Sequence, residues 1–180
     1  MAMSKTMKLV RTGRVWTFGD QVNTDLILPS HAFRLPKNEQ HKLCFEAIRP
    51  GWVNEVRPGD IIIGGENFGM GSGRPVGTIL RACGIAGLVA ESVNGLCLRN
   101  CVNFSLPGID CPGVTRIFED GDTARVDFLS GLVENLSRHK SLRGKPMAPL
   151  LAEVVVAGGV IPMLIKEGYI EEDSFVASSS

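Results

Sequence analysis

Chemistry-bearing residue types are densest in one run near the middle of the chain: Gly64-Gly65-Glu66-Asn67-Phe68-Gly69-Met70-Gly71-Ser72-Gly73-Arg74-Pro75. The run follows a short apolar stretch, Ile61-Ile62-Ile63, and ends on a proline placed to open a helix that Gly84 closes. A buried strand leading through glycines into a helix N-terminus aims several backbone N–H groups at one spot, and the helix dipole adds partial positive charge there. Arg74 adds a full charge. The chemistry this predicts is anion binding. The pattern leaves the anion open. G-x-G-x-x-G fails from Gly69 because position 74 is arginine, and the phosphate-loop pattern fails because no GK[ST] follows. A dinucleotide or nucleotide fold is therefore disfavoured, and a carboxylate fits as well as a phosphate.

These residues need a scaffold, and the punctuation of 21 glycines and 10 prolines outlines one. Residues 13–18 alternate as a strand, and residues 20–31 form a loop around Leu26-Ile27-Leu28 that Pro29 stops. Residues 38–50 predict a helix with Leu43, Ala47 and Ile48 on one face. Arg57-Pro58-Gly59-Asp60 is a turn into the isoleucine strand. Residues 85–90 read as a strand and 93–102 as a helix. Residues 124–129 and 132–136 predict two strands joined by a two-residue turn, Ser130-Gly131. Residues 149–157 and 159–168 read as two helices around a glycine turn. Strands and helices alternate through the middle, so the class is α/β.

Composition bounds the function. A chain of 180 residues, 44% apolar, suits one domain with a single core. Nineteen basic and nineteen acidic side chains cancel, which gives no electrostatic footprint for nucleic acid. No apolar run approaches the roughly 18 residues of a membrane span. The richest stretch, residues 150–165, is broken by Glu153, Gly158, Gly159 and Pro162. Residues 1–11 lack an apolar block and a small-residue cleavage site, so the expectation is a cytoplasmic protein without a signal peptide. Five cysteines without paired spacing read as reduced, buried thiols. Cys97 and Cys101, four apart, share a helix face, but no C-x-x-C or nearby histidine completes a four-ligand set. They read as packed core cysteines, and no metal is expected in this chain. His41 and His139 sit in polar surroundings and carry no signal.

Four stretches, in order, resemble the small subunit of 3-isopropylmalate dehydratase, a family similar to the swivelling fourth domain of aconitase. Gly19-Asp20-Gln21-Val22-Asn23-Thr24-Asp25 with Leu26-Ile27-Leu28-Pro29 resembles the family's first active-site loop. Gly59-Asp60-Ile61-Ile62 into Asn67-Phe68-Gly69-Met70-Gly71-Ser72-Gly73-Arg74 resembles its second. Ala90-Glu91-Ser92 with Arg99-Asn100 and Asn103 resembles the following strand and helix, and Gly121-Asp122 with Val126-Asp127 and Gly131 the closing hairpin. The match places a swivel domain at residues 13–170, an extension at 1–12 and a tail at 171–180.

The resemblance implies an α/β swivel domain of β/β/α type without a metal of its own. It also implies a large subunit carrying a [4Fe-4S] cluster, joined to this chain as a heterodimer or heterotetramer. The implied reaction is a dehydration and rehydration that moves a hydroxyl between adjacent carbons of a malate derivative, in leucine biosynthesis. By the same resemblance Ser72 is the proton-abstracting base and Arg74 grips a substrate carboxylate with a bidentate fork. Asp25 is expected near the substrate hydroxyl and the iron, Thr24, Gly71 and Gly73 at the substrate, and His31, Ala32 and Phe33 in a bordering specificity loop. Each key residue has a simpler local reading: a helix N-cap for Ser72, a surface ion pair for Arg74, an Asx-turn for Asp25.

The chain departs from the family pattern beside the substrate. Gly73 stands where a second serine is usual, Pro75-Val76-Gly77 where an acidic residue, a histidine and an alanine are usual, and His31-Ala32-Phe33 where a basic residue, tyrosine and leucine are usual. The substrate is thus 3-isopropylmalate or another 2-hydroxy diacid, such as homocitrate, citramalate or dimethylmalate. A catalytically silent binding domain and an unrelated phosphate-binding α/β protein remain as other readings.

Overall fold

Ile61, Ile62 and Ile63 are all fully buried. Their strand, β2 (Ile61–Gly64), lies inside a sheet covered on both faces. Ile62 faces one core with Trp16, Leu88 and Ala90, while Ile61 and Ile63 face the other with Val15, Val89 and Ile109. A strand buried on both faces must be apolar throughout, so this run does not alternate. Each buried isoleucine contributes roughly 1.5–3 kcal/mol.

The computed structural model describes residues 7–71 and 73–172. Its other strands are β1 (Val10–Thr17), β3 (Gly87–Ala90), β4 (Gly108–Asp110), β5 (Thr123–Asp127), β6 (Leu132–Asn135) and β7 (Lys140–Arg143). They form one seven-stranded sheet in the order β4-β3-β2-β1-β5-β6-β7. β1 to β4 pair in parallel, and β1, β5, β6 and β7 pair antiparallel. β1 is the seam, with Val15 against Ile61 on one side and Val10 against Asp127 on the other. The helices are α1 (Thr24–Ile27), α2 (Trp52–Glu55), α3 (Val76–Ala82), α4 (Gly95–Asn103), α5 (Pro149–Val156) and α6 (Val160–Lys166). The architecture is the α/β class expected.

One core packs β1, β2 and β3 against α3 and the long excursion between β1 and β2. Phe18 stacks on Phe45 at 4.1 Å between ring centroids, and Phe45 meets Trp52 edge-on at 5.0 Å. The other core packs the sheet against α5 and the segment around Val114 and Phe118.

The helix expected over residues 38–50 does not form. A 3-10 turn at Gln40–Leu43 ends at Cys44, and Phe45 is left-handed at φ 57. That backbone turns the Phe45 ring into the core and lets its N–H donate to the Ile27 carbonyl at 3.0 Å. The buried pair is Cys44 and Phe45, whereas Ala47 and Ile48 are exposed. The hairpin also differs: Asp127 pairs with Leu132, so four residues connect β5 and β6 rather than two. β1 begins at Val10, inside the stretch expected as an extension, and residues 1–6 and 173–180 lie outside the described residues.

Candidate active site

Two loops distant in sequence are stitched into one surface. Gly65 N–H donates to the Gly19 carbonyl at 3.1 Å, Gln21 to Glu66 at 2.7 Å, Gly69 to Val22 at 2.7 Å, and Thr24 to Met70 at 2.8 Å. The Asp20 carboxylate accepts from Glu66 N–H at 2.8 Å. Asn23 then caps α1 by accepting from Leu26 N–H at 2.8 Å, which sets Asp25 in the first helical turn. The second loop rests on α4. At Gly69, φ is 76 and a Cβ would fall 2.2 Å from the Cys97 sulfur, so only glycine fits.

Arg74 is where these elements converge. Its Nε donates to Asp25 Oδ1 at 2.5 Å and its Nη2 to the Ser30 hydroxyl at 3.1 Å. The Phe33 ring centroid lies 5.2 Å from the guanidinium carbon, within cation–π range. Its side chain is 11% exposed, against 61% for Asp25. Nη1 is buried and makes no hydrogen bond to any of the described residues. A buried charged donor left without a partner is costly, and a carboxylate arriving there would remove that cost. Beside it Ser30, Phe33, Gly73, Arg74 and Pro75 line an open concavity of about 360 Å³.

The other expected residues fall as follows. Ser72 lies outside the described residues. Thr24 is buried beneath the loop, with its hydroxyl 3.1 Å from where a Cβ on Gly71 would lie, and Gly71 itself is exposed in a left-handed conformation. Gly73 is exposed, and a Cβ there would meet only a Leu96 methyl at 4.0 Å, so crowding does not dictate the missing side chain. His31 Nε2 pairs with Glu46 at 3.0 Å on the surface. Ala32 is buried in the core, whereas Phe33 is 51% exposed at the rim of the concavity.

The helix N-terminus differs from expectation. α3 is short, and its first N–H groups are occupied: Val76 donates to the Arg74 carbonyl at 2.8 Å and Gly77 to the Asn100 side chain at 2.8 Å. The side chain of Arg74, rather than the helix end, is thus the anion-facing group. Sequence reasoning missed Ser30, and it named Asn100 only within the stretch resembling the family's helix, without a role. Both contacts are tertiary, so no local pattern at either position reveals them.

Cys97 and Cys101 are buried on one face of α4 as free thiols, as expected, and so are the other three cysteines. A hydrogen bond between the two lowers the pKa of Cys97 against the opposing effect of burial, and raises that of Cys101. Among the described residues no cluster of three or more His, Cys, Asp or Glu side chains could hold a metal ion. Nor is any single described helix long and apolar enough to cross a membrane. α5 and α6 reach that length only together, across an 85° bend.

A mixed sheet whose parallel half carries two interlocked loops, the second glycine-rich, around an arginine defines an aconitase-like swivel domain. The crystal structure of 3-isopropylmalate dehydratase LeuD from Methanocaldococcus jannaschii matches the chain with a TM-score of 0.82 at 29% identity, covering 92% of this chain and 99% of that one. In sequence, the chain is 37% identical over 165 residues to the isopropylmalate/citramalate isomerase small subunit of Methanocaldococcus jannaschii, covering 89% of this chain and 97% of that one. It is 38% identical over 164 residues to 3-isopropylmalate dehydratase small subunit 1 of Methanopyrus kandleri, covering 90% and 96%. No family model matches the chain. The chain belongs to the family of 3-isopropylmalate dehydratase small subunits, which are parts of a heteromeric hydro-lyase, and a small subunit implies a large-subunit partner.

Proposed function

We propose that this chain completes the active site of a dehydratase acting on a malate-type hydroxy diacid, with Arg74 holding a substrate carboxylate. The observation that carries this reading is the buried, unpartnered Nη1 of Arg74 beside an open concavity. Removing a proton next to a carboxylate pushes negative charge onto that carboxylate in the transition state. A guanidinium already oriented there stabilises the charge without reorganising. Ser72, two residues before Arg74, takes the proton in this reading, which rests on the family resemblance. Asp25 stays exposed while it orients Arg74, which leaves its carboxylate open to the substrate hydroxyl. An iron–sulfur cluster on the large subunit, which the family resemblance implies, would supply the Lewis acid that hydroxide departure requires. This chain's own residues bind, orient and deprotonate.

The relatives support both 3-isopropylmalate and citramalate as substrates, because one is named for dehydration of the first and another for isomerisation of both. The test is reconstitution. The chain is mixed with the large subunit from the same source, the cluster is rebuilt anaerobically, and alkene formation is followed at low ultraviolet wavelengths. The panel is 3-isopropylmalate, citramalate, homocitrate and dimethylmalate, with Ser72→Ala as the control. Turnover of one substrate that Ser72→Ala abolishes is expected. No turnover of any, with cluster content verified, overturns the reading in favour of a silent binding domain.

A further inference from the structure

Arg74 is held by side chains from a single segment of the first loop. Asp25 takes Nε, Ser30 takes Nη2, and Phe33 covers the guanidinium face. A guanidinium has five N–H donors in a rigid plane, so fixing two nitrogens fixes where the third points. The third is Nη1, the buried one without a partner. We infer that Ser30 is a positioning residue, whose hydroxyl on Nη2 fixes the guanidinium plane so that Nη1 meets the substrate carboxylate. This rests on the reading of Arg74 given above.

The chemistry of the hydroxyl suits that task. Asp25 alone pins one edge of Arg74 and leaves the group free to pivot about that contact. A second carboxylate at Nη2 would stop the pivot but would compensate the charge that the substrate must meet. A serine hydroxyl stops it and leaves the charge largely available. Ser30 sits at the start of the 3-10 turn Ser30–Arg34, directly after Pro29, whose fixed φ of −65 restricts where the hydroxyl can go. The same turn carries Phe33 to the guanidinium face, so the turn as a whole sets the arginine.

The first measurement is steady-state kinetics of the assembled two-subunit enzyme. Ser30→Ala is expected to raise KM about tenfold and to lower kcat severalfold, because Nη1 meets a carboxylate whose charge grows in the transition state. Ser30→Thr, which keeps the hydroxyl, should restore KM. In an Arg74→Ala background the Ser30 change should have no further effect. An unchanged KM in Ser30→Ala, an equal loss in Ser30→Thr, or additivity with Arg74→Ala each overturns the inference. The second measurement needs no activity. In the isolated chain the Arg74 Nε–H resonance, assigned by its loss in Arg74→Lys, should exchange slowly with solvent and faster in Ser30→Ala. If wild-type enzyme turns over no substrate, the functional reading fails, and this exchange measurement still decides the positioning role: equal exchange in wild type and Ser30→Ala refutes it.

Discussion

The Trp16 indole donates its Nε1 proton to the Asp60 carboxylate at 2.7 Å in the interior of the molecule. Asp60 also accepts from Arg14 Nη2 at 2.7 Å and from Arg57 N–H at 2.9 Å. It thereby ties β1, the turn before β2 and the edge of the first core together. Removing the carboxylate leaves a buried indole N–H unsatisfied and breaks an ion pair whose acidic partner is buried and whose basic partner is partly exposed. Asp60→Ala is expected to cost about 3 kcal/mol, read as a lower urea midpoint at unchanged slope. A loss below about 1 kcal/mol would mean that water replaces the carboxylate.

Acid should unfold the chain through a few such groups. Burial by itself raises the pKa of Asp60, but the Arg14, Arg57 N–H and Trp16 bonds outweigh it and hold the value below the usual carboxylate range. Burial likewise opposes, and the Glu119 N–H, Asn135 amide and Arg138 outweigh, at Asp122. A carboxylate with a depressed folded-state pKa contributes stability that is complete above the ordinary value of about 4 and disappears as pH falls through the folded-state value. The melting temperature should therefore be flat from about pH 5.5 to 7 and drop below about pH 4. Asp122→Asn should lower the plateau and shallow the drop. A steep fall already between pH 7 and 6 would point to histidine instead.

Helices α3 and α4 touch where Gly77 has no side chain. A Cβ there would fall 2.7 Å from the Asn100 carbonyl oxygen and 2.8 Å from the Cys101 Cα, both backbone atoms. Gly77→Ala should cost at least about 2 kcal/mol by overpacking. Gly19→Ala, with nothing within 4 Å, should stay within about 0.5 kcal/mol of wild type. Thermal melts of the two side by side decide it. Equal melting temperatures would show that the helices can slide apart freely.

Arg74→Lys keeps the charge and loses the plane. An ammonium cannot engage Asp25, Ser30 and a substrate carboxylate along three fixed directions. In the reconstituted enzyme kcat/KM should fall roughly 100-fold, the loss expected for one oriented charge-assisted contact. A fall below about threefold would show that charge alone suffices at this position.

Thiol chemistry should sort the cysteines. Burial, aided by the nearby Glu91 charge, pushes the Cys111 thiol up to about 11. At pH 8 only about one part in a thousand of it is then thiolate. Cys44 is raised as well, by burial first and by its hydrogen bond with Cys83, whereas Cys97 is lowered. Pulsed alkylation of the folded chain read by mass spectrometry should label Cys97 ahead of Cys44, Cys101 and Cys111. Simultaneous labelling of all would indicate global unfolding as the only route to reaction.

The parts of the fold legible in the sequence are those whose cause is local. The run Ile61-Ile62-Ile63, the turn before it, Pro75 at the start of α3 and the glycine turn between α5 and α6 all behave as their residue types dictate. The helix expected at 38–50 failed because Phe45 accepts a left-handed backbone to reach Phe18 and Trp52, a tertiary gain that no local propensity reveals. The short edge strands β4 and β7 escaped notice, since three or four residues give no readable period. At the site, both loops and the Asp25 and Arg74 positions were legible through their motifs. That the two side chains bind each other, and that Ser30 joins them, follows from loop stitching across 44 and 49 positions of sequence.

The seam position of β1 governs how the chain is made. β1 is synthesised before both of its partners, β2 and, far later in the chain, β5. Its buried side chains Val15 and Trp16 must wait until β5 is made before both edges of the strand are satisfied. A topology dominated by such distant pairings folds slowly, on the scale of milliseconds to seconds, and leaves an unpaired strand exposed meanwhile. Removal of β5 would then leave one edge of β1 without a partner, far from the cut in sequence.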